Sequence, residues 1–239
     1  MGGHEVIYAR APSHLGDGVM ALPALAALAG LGPLIIGAPR WGAELYRDLQ
    51  CAVVGPESRV QADIAVLFKP SLGAALQVRH IRRRIGVAGD HRWPLLTDVV
   101  KEGAHQSDTY RSLAAVLGAQ AEGTPEFRRR ASDPTVDVPA DHVGLNPVSK
   151  GGAVREWQGY RSLAGAVRGP VVFYGGPGEE QRVAAHAGPH AMNVGLSLAA
   201  FASALSRCAV FVTNDSGAAH FARAVDTPVV VVHGSTTAT

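Results

Sequence analysis

The sequence predicts an α/β protein made of two Rossmann-like domains, each built on a parallel sheet. Three observations lead to this fold class. Short apolar runs of strand length alternate with helical patterns along the whole chain. Residues 123–140 interrupt the alternation once, with three prolines, an Arg128-Arg129-Arg130 run and no clear period. Several apolar runs end in glycine-containing polar turns, as expected where a parallel strand leads into a helix.

The composition is that of a globular protein. The chain has 239 residues, of which 47% are hydrophobic and 18% are charged, enough for one large or two small cores. A formal net charge of +2 argues against a general nucleic-acid binder. Cys51 and Cys208 are too few and too far apart for a disulfide scaffold or a zinc site, so no metal site is expected.

No apolar run is long enough to span a membrane as a helix, and Met1–Glu5 lacks the basic start and apolar core of a signal peptide. The expected location is the cytoplasm, with the inner face of the cell membrane as the alternative.

The first half of the chain is expected to form one alternating series. Strands are predicted over Glu5–Ala9, Pro33–Gly37, Ala52–Val54, Ile64–Phe68 and Ile85–Val87. Helices are predicted over Gly18–Ala29, Trp41–Leu49, Leu72–His80 and Ser107–Leu117. The last is amphipathic, with Tyr110, Leu113, Ala114 and Leu117 on one face.

The second half repeats the architecture without repeating the sequence. Strands are predicted over Val143–Asn146, Val171–Tyr174, Met192–Val194, Val210–Thr213 and Val229–Val232. Helices are predicted over Tyr160–Arg168, Glu179–Ala187, Leu198–Arg207 and Gly217–Val225. The expected domains are residues 1–135, including the linker, and residues 136–239. They should face each other across a cleft at the carboxyl ends of their strands, where open α/β sheets bind ligands.

The polar turn Asn214-Asp215-Ser216-Gly217-Ala218-Ala219-His220 separates a predicted strand from a predicted helix. The first N–H groups of a helix have no helical partner, and its positive dipole end suits a diphosphate. Asp215, Ser216 and His220 could add polar contacts. The alternative is that Asp215 or Ser216 only caps the helix.

The turn Arg10 to Gly18 follows the first predicted strand, and it lacks the spacing of a dinucleotide-binding fingerprint. Asp17 lies where the first helix should begin. It is either the N-cap of that helix or a carboxylate that acts as a general base.

Two further turns lie in the second half. The segment from Asn146 to Trp157 carries Lys150 and Arg155, which could hold phosphate oxygens; the alternative is a solvated loop with Trp157 in the core. The turn from Tyr174 to Glu180 places Glu179 and Glu180 at a helix start, where they complement the dipole or accept hydrogen bonds from a ribose.

A group of basic residues gathers in the first half. It consists of Lys69, Arg79, His80, Arg82, Arg83, Arg84, Arg92 and Lys101. Such a group usually forms a solvent-exposed surface. The more specific interpretation is that it binds an anionic acceptor or a membrane surface.

Taken together, these segments resemble glycosyltransferase family 9, the ADP-heptose:lipopolysaccharide heptosyltransferases. The resemblance rests on five stretches that occur in the family's order. They are RAPSHLGDGVMALP; LFKPSLGAALQVRHIRRRIGVAG with HQSDTYRSLAAVLG; GLNPVSKGGAVREW; FYGGPGEE; and LSLAAFASALSRCAVFVTNDSGAAHFARAVDTPVVVVHGST. The last stretch is the most specific.

The resemblance implies a GT-B fold and metal-independent, inverting transfer of a sugar from a nucleoside-diphosphate donor such as ADP-heptose. The acceptor would be a glycan or glycolipid of the lipopolysaccharide-core type, with no nucleic acid, no cofactor and at most peripheral membrane contact. The family's base corresponds to Asp17, and its diphosphate contacts correspond to Asp215, Ser216, Gly217 and His220.

Three further assignments follow from the resemblance. The family's donor-binding lysine is replaced by Arg155, which is not a like-for-like exchange, and Lys150 could share the role. A donor-contacting glutamate corresponds to Glu179 or Glu180. Acceptor-binding residues are sought at Arg10, His14, Lys69, Arg82 and Arg84.

The resemblance also implies a longer chain, with a closing segment that returns to the N-terminal domain. The expectation is therefore a GT-B fold with a short or missing C-terminal segment. A non-catalytic nucleotide-binding module of the same fold is the main alternative function. A sugar-nucleotide epimerase is a third hypothesis, which the LGD motif counts against.

Overall fold

The structure, a computed structural model, describes residues 5–89, 91–150, 152 and 156–233. The chain divides into two compact units, Met1–Pro125 and Glu126–Thr239. Each unit contains its own parallel sheet with helices between the strands, so the predicted α/β fold class is confirmed. No helix in the described ranges is long and apolar enough to cross a membrane.

The first unit holds a six-stranded parallel sheet in the order β3-β2-β1-β4-β5-β6. The strands are β1 (Ile7–Arg10), β2 (Leu34–Gly37), β3 (Cys51–Val54), β4 (Ile64–Leu67), β5 (Arg83–Val87) and β6 (Asp98–Val100). The central strands β1 and β4 are buried along their whole length, because helices cover both faces of a parallel sheet.

The helices of the first unit are α1 (Leu15–Met20), α2 (Leu22–Ala29), α3 (Gly42–Leu45), α4 (Leu72–Gln77) and α5 (Gln106–Ala115). The single helix expected over Gly18–Ala29 is therefore two helices that meet at Ala21. Pro23 explains the break, because proline has no N–H to donate to the carbonyl four residues earlier. The predicted apolar face of α5 is confirmed, with Tyr110, Leu113 and Ala114 buried.

The strand β6 and a 3-10 turn at Trp93–Leu95 were not expected from the sequence. β6 has three residues and pairs only with β5 on one side, from Ile85↔Asp98 to Val87↔Val100. A strand of three residues is too short to show an alternating apolar pattern in the sequence, which is why β6 was not predicted.

The second unit holds a five-stranded parallel sheet in the order β11-β10-β7-β8-β9. The strands are β7 (His142–Asn146), β8 (Val171–Gly175), β9 (Ala191–Val194), β10 (Cys208–Asn214) and β11 (Val229–Val232). The helices are α6 (Tyr160–Ala166), α7 (Glu180–Ala187), α8 (Leu198–Leu205) and α9 (Gly217–Ala224). Each was predicted within a few residues of its bounds.

The segment after Pro125 packs on the second unit. The Phe127 N–H donates to the Ala224 carbonyl at 2.8 Å, and the Phe127 ring lies 5.1 Å from the Phe221 ring, centroid to centroid. Phe127 and Val138 are both buried. The division of the chain therefore falls after Pro125 rather than after residue 135, because apolar anchors fasten this segment to one side.

Candidate functional site

Three strands of the second sheet end side by side, and polar side chains follow each end. β7 ends at Asn146, β8 at Gly175 and β10 at Asn214. Because β7 lies between β8 and β10 in a parallel sheet, the three following loops share one edge. This carboxyl edge is where α/β sheets bind ligands.

Asn214 anchors the loop that follows β7. Its buried side chain donates from Nδ2 to the Pro147 carbonyl at 2.8 Å, and its Oδ1 accepts from the Trp157 N–H at 3.0 Å. Both ends of the loop are thus held to the end of β10. The Trp157 ring stays partly exposed and packs edge-on against Tyr160 at 5.2 Å, so the alternative that buried it in the core is wrong.

The start of α9 lies beside this loop. Ser216 is the N-cap residue by backbone conformation, yet its side chain makes no capping hydrogen bond. Its hydroxyl lies 3.2 Å from the Thr213 hydroxyl instead. The capping alternative therefore fails for Ser216. The Ser216 side chain caps none of the first N–H groups of α9, and one of these groups, the Ala219 N–H, donates to the Ser216 carbonyl at 3.1 Å.

The predicted donor residues Asp215, Ser216, Gly217 and His220 lie together at this helix start, and all four are partly exposed. The Asp215 N–H donates to the Val232 carbonyl at 3.3 Å, which fixes the turn against β11. The arrangement offers helix N–H donors, a hydroxyl, a carboxylate and an imidazole on one short turn.

A charged network joins the loop after β7 to the loop after β8. The Glu156 carboxylate, which is 9% exposed, accepts from the Ser149 N–H at 2.9 Å and pairs with Arg182. Arg182 also donates to the Ser149 carbonyl at 2.8 Å and to Glu179 at 3.2 Å. The second Glu179 oxygen accepts from the Gly176 N–H at 2.7 Å.

Sequence reasoning missed Glu156 and Arg182. Arg182 lies three residues after Glu179 on α7, and this i,i+3 spacing was the available signal. The network also separates the two glutamates. Both Glu179 oxygens make hydrogen bonds that hold the loop. Glu180 is exposed, and within the described ranges it accepts one hydrogen bond, from the Gly178 N–H at 3.4 Å.

Of the two cations proposed for this edge, Lys150 and Arg155, the structure describes one. Lys150 follows the buried Ser149 and is exposed. Arg155 lies outside the described residues. Ser149 was also missed, and its buried hydroxyl has no hydrogen-bond partner among the described residues.

In the first unit, Asp17 lies on α1, which begins five residues after β1 ends. The helix starts at Leu15 with His14 as its N-cap, so Asp17 is its third residue and the capping alternative is wrong. No hydrogen bond to the Asp17 carboxylate occurs within the described part of the chain. The carboxylate is partly exposed and thus free to accept a proton.

Buried tyrosines surround this carboxylate. Burial is the main cause that raises the pKa of Tyr46, and the negative charge of Asp17 adds to it. The pKa of Tyr110 is raised by the same two causes in the same order. The next residue, Gly18, leaves room for the Trp41 ring, which a Cβ there would strike at 2.5 Å. Both tyrosines remain neutral, so the Asp17 carboxylate lies beside weakly polar walls.

Among the expected acceptor residues, Arg10 and Lys69 lie on the same edge as Asp17. The Lys69 N–H donates to the Arg10 carbonyl at 3.2 Å. The Arg10 guanidinium is 3% exposed and bonds to the Gly37 carbonyl at 3.3 Å and to Glu57 at 3.2 Å, so the fold itself uses it. Lys69 is half-buried, and His14 is exposed.

Arg82 and Arg84 lie at the opposite edge, where β5 begins. Arg82 pairs with Glu5 at 2.8 Å, and Glu5 precedes β1. Arg84 donates to the carbonyls of Leu95 and Ile81, both at 2.6 Å. The structure therefore does not bring these two residues to the edge where Asp17 lies.

In the described ranges, no group of three or more His, Cys, Asp or Glu side chains could hold a metal ion.

Comparison with known proteins agrees with this architecture. The family model described as glycosyltransferase family 9 (heptosyltransferase) matches residues 58–239. The match covers more than half of the sequence. The chain belongs to glycosyltransferase family 9. No curated protein matches it.

Solved structures share the fold of the whole chain. The ADP-heptose LPS heptosyltransferase II of E. coli is 20% identical with a TM-score of 0.78, covering 98% of this chain and 86% of that one. A family 9 glycosyltransferase from Veillonella parvula DSM 2008 is 18% identical with a TM-score of 0.74, covering 96% and 80%. The E. coli heptosyltransferase WaaC with ADP-2-deoxy-2-fluoro heptose is 15% identical with a TM-score of 0.76, covering 98% and 90%. These likenesses show that the protein has the GT-B fold.

Proposed function

We propose that this protein is an inverting glycosyltransferase that transfers a heptose from ADP-heptose to a glycan or glycolipid acceptor of the lipopolysaccharide-core type, without a metal ion. The observation that carries the proposal is the start of α9, which the Ser216 side chain does not cap and where Asp215, Ser216, Gly217 and His220 come together. The family membership makes it a glycosyltransferase. Structures of WaaC are described with ADP and with an ADP-heptose analogue, which supports this donor.

The donor diphosphate would lie against the start of α9. Its oxygens would accept from the helix N–H groups and from the Ser216 hydroxyl, and His220 lies one helical turn further on. The Ser149 hydroxyl on the same edge has no partner among the described residues and would gain one. Lys150 and Arg155 would add positive charge, so the departing diphosphate is stabilised by the chain itself. One such donor is worth roughly 2–4 kcal/mol in a transition state.

Asp17 would act as the general base. As the acceptor oxygen attacks C1 of the donor sugar, its proton passes to the Asp17 carboxylate. The bond from C1 to the diphosphate oxygen breaks, and the nucleoside diphosphate leaves with the electron pair. Attack opposite the leaving group inverts C1. A carboxylate that accepts no hydrogen bond from the described part of the chain is suited to this task, because no other proton has to be displaced first.

The donor site can be tested by calorimetric titration with ADP. Asp215→Ala and His220→Ala should each weaken ADP binding about tenfold, because each removes a polar contact to the charged ligand. Arg40→Ala is the control, since Arg40 is exposed and lies in the first unit. Unchanged ADP affinity in both site variants would remove α9 from the donor site.

Metal independence has its own test. Sugar transfer from ADP-heptose should continue at the same rate in excess EDTA. Transfer that stops with EDTA and returns with magnesium would contradict the proposal.

A further inference from the structure

An exposed carboxylate at the carboxyl edge of the first sheet is bound to a buried cation. Glu57 lies three residues after the end of β3, and Arg10 is the last residue of β1. The Arg10 guanidinium donates from Nη2 to Glu57 Oε1 at 3.2 Å, although the Arg10 side chain is 3% exposed and the Glu57 side chain is 83% exposed. The cation therefore belongs to the interior of the unit and the carboxylate to its surface.

The position of the Arg10 guanidinium is fixed by the sheet. Its Nη1 donates to the Gly37 carbonyl at the end of β2, at 3.3 Å. Tyr8, two residues before Arg10, projects to the same side of the strand and is fully buried. In an ordinary surface ion pair both side chains move, and the pair contributes little. Here the buried partner does not move, so Glu57 is drawn to one place.

The backbone around Glu57 is fixed as well. The Gln77 side chain, at the end of α4, donates from Nε2 to the Pro56 carbonyl at 2.8 Å and to the Ser58 carbonyl at 3.1 Å. The Ser58 N–H donates to the Gly55 carbonyl at 3.1 Å, which closes a turn. The residues on both sides of Glu57 are thus bound to α4 before any ligand arrives.

The Glu57 carboxylate keeps most of its capacity to accept hydrogen bonds. An ionised carboxylate has about four lone-pair sites. Within the described part of the chain, Arg10 uses one of them, and Oε2 accepts no hydrogen bond. The Arg10 Nε also has no partner among the described residues, but it is buried. A ligand that arrives from solvent therefore meets the carboxylate and not the guanidinium.

Glu57 and Asp17 follow strands that end at the same edge. Asp17 follows β1, Glu57 follows β3, and only β2 lies between these two strands. Adjacent strands of a sheet are about 4.8 Å apart, so the two segments are close neighbours along the edge. Under the proposed function the reacting hydroxyl of the acceptor lies at Asp17. Glu57 is then placed to contact another part of the same acceptor.

We propose that Glu57 binds hydroxyl groups of the acceptor saccharide and selects against an anionic substituent at that place, with Arg10 and Gln77 as positioning residues. This inference rests on the proposed function. Hydroxyl groups donate to a carboxylate in charge-assisted hydrogen bonds, which are roughly twice as strong as neutral ones. A phosphate or carboxylate of the acceptor would meet a like charge. Because Arg10 and Gln77 already order Glu57 and its loop, binding loses less conformational entropy.

The test is calorimetric titration of the full chain with a lipopolysaccharide-core oligosaccharide freed of its acyl chains, before and after enzymatic removal of its phosphate groups. Glu57→Gln should weaken binding of the dephosphorylated form about tenfold, because the amide oxygen carries no charge. Gln77→Ala should weaken it about threefold, because the loop is then no longer held. In transfer from ADP-heptose, KM for the oligosaccharide should rise by the same factors, with kcat and ADP affinity unchanged.

Two further variants separate the carboxylate from the loop that carries it. Arg59→Gln is the matched control, since Arg59 is an exposed charged residue two positions after Glu57, and it should leave the oligosaccharide affinity unchanged. Arg10→Lys keeps the buried charge but loses the planar fork that holds Glu57. It should raise KM for the oligosaccharide without changing ADP affinity.

Three results would overturn the inference: no binding of the oligosaccharide by the parent, equal losses in Glu57→Gln and Arg59→Gln, or tighter binding of the phosphorylated form by Glu57→Gln with no loss for the dephosphorylated form. The last result would make Arg10 an anion site that Glu57 only covers. Failure of the proposed function gives a different result, in which the parent binds the oligosaccharide but transfers no heptose to it.

Discussion

The carboxyl edges of the two sheets are built in opposite ways. In the second unit, Asn214, Glu156 and Arg182 bind the surrounding loops to one another through side chains. In the first unit, the Asp17 carboxylate accepts no hydrogen bond from the described residues, and packed aromatic rings lie beside the helix that carries it. A site that holds a diphosphate gains from loops that are fixed before binding, since less conformational entropy is then lost when the ligand binds. A general base gains from a carboxylate with no competing hydrogen bond.

The largest expected effect is at Asp17. Asp17→Asn keeps the shape of the side chain but cannot take a proton, so the rate of sugar transfer should fall by roughly 10² to 10⁴. ADP affinity should stay unchanged, because the proposed donor site belongs to the second unit. The measurements are single-turnover transfer and calorimetric ADP titration. Unchanged transfer would remove Asp17 from the mechanism, and tight ADP binding without transfer in the parent would favour a binding module.

The next effect is at Arg182. Arg182→Ala leaves the Glu156 carboxylate, which is largely buried, with the Ser149 N–H as its remaining described partner. The loop after β7 should then loosen, raising KM for the donor about tenfold while kcat changes less, since a lost charge-assisted hydrogen bond costs about 1.5 kcal/mol or more.

Arg161→Ala is the matched control for this experiment. Arg161 also bridges to a backbone carbonyl, that of Ala185 at 3.1 Å, but it lies outside the network. Arg182→Lys should recover only part of the donor affinity, because lysine lacks the planar fork. Equal KM values in Arg182→Ala and Arg161→Ala would show that the network does not position the donor.

A smaller effect concerns acid stability at the opposite edge of the second sheet. His142 is buried; its Nδ1 donates to the Pro139 carbonyl at 2.8 Å, and its Nε2 lies 2.7 Å from the Tyr174 hydroxyl. Burial lowers the pKa of His142. Because the unfolded chain takes up the proton first, stability is full above the unfolded pKa of about 6.5 and is lost as the pH falls below it.

Thermal unfolding between pH 7.5 and 5 checks this prediction. His142→Gln should flatten the pH dependence of Tm, whereas His80→Gln, at an exposed position, should not. The same slope in the parent and in His142→Gln would assign the acid sensitivity to other groups.

The smallest effect is expected at Ser216. Its hydroxyl caps no helix N–H, so Ser216→Ala should change the free energy of unfolding by no more than about 0.5 kcal/mol. A true N-cap would cost about 1 kcal/mol. Denaturant unfolding measures the first quantity, and an ADP titration shows whether the hydroxyl matters to the ligand. A clear loss of stability would restore the capping interpretation.

The sequence by itself determined the fold class and the position of nearly every strand and helix. Apolar runs such as Val171–Tyr174 and Ile64–Phe68 are long enough and pure enough to identify buried parallel strands. The turn chemistry at Asp17 and at Asp215–His220 also identified the two edges, because glycine and small polar residues at a strand end are a local signal. The family motifs are local for the same reason.

Only the tertiary structure decided which charged side chains belong to those edges. Arg82 and Arg84 look like Lys69 in sequence, but the direction of β5 places them at the other end of the sheet. The Arg10 guanidinium is already bound within the first unit, to Glu57. Glu156, Arg182 and Ser149 are positioned by loops that meet only after folding. Hydrogen bonds between residues distant in sequence leave no periodic trace, so the sequence located the two strand edges, while the folded chain selected the side chains that line them.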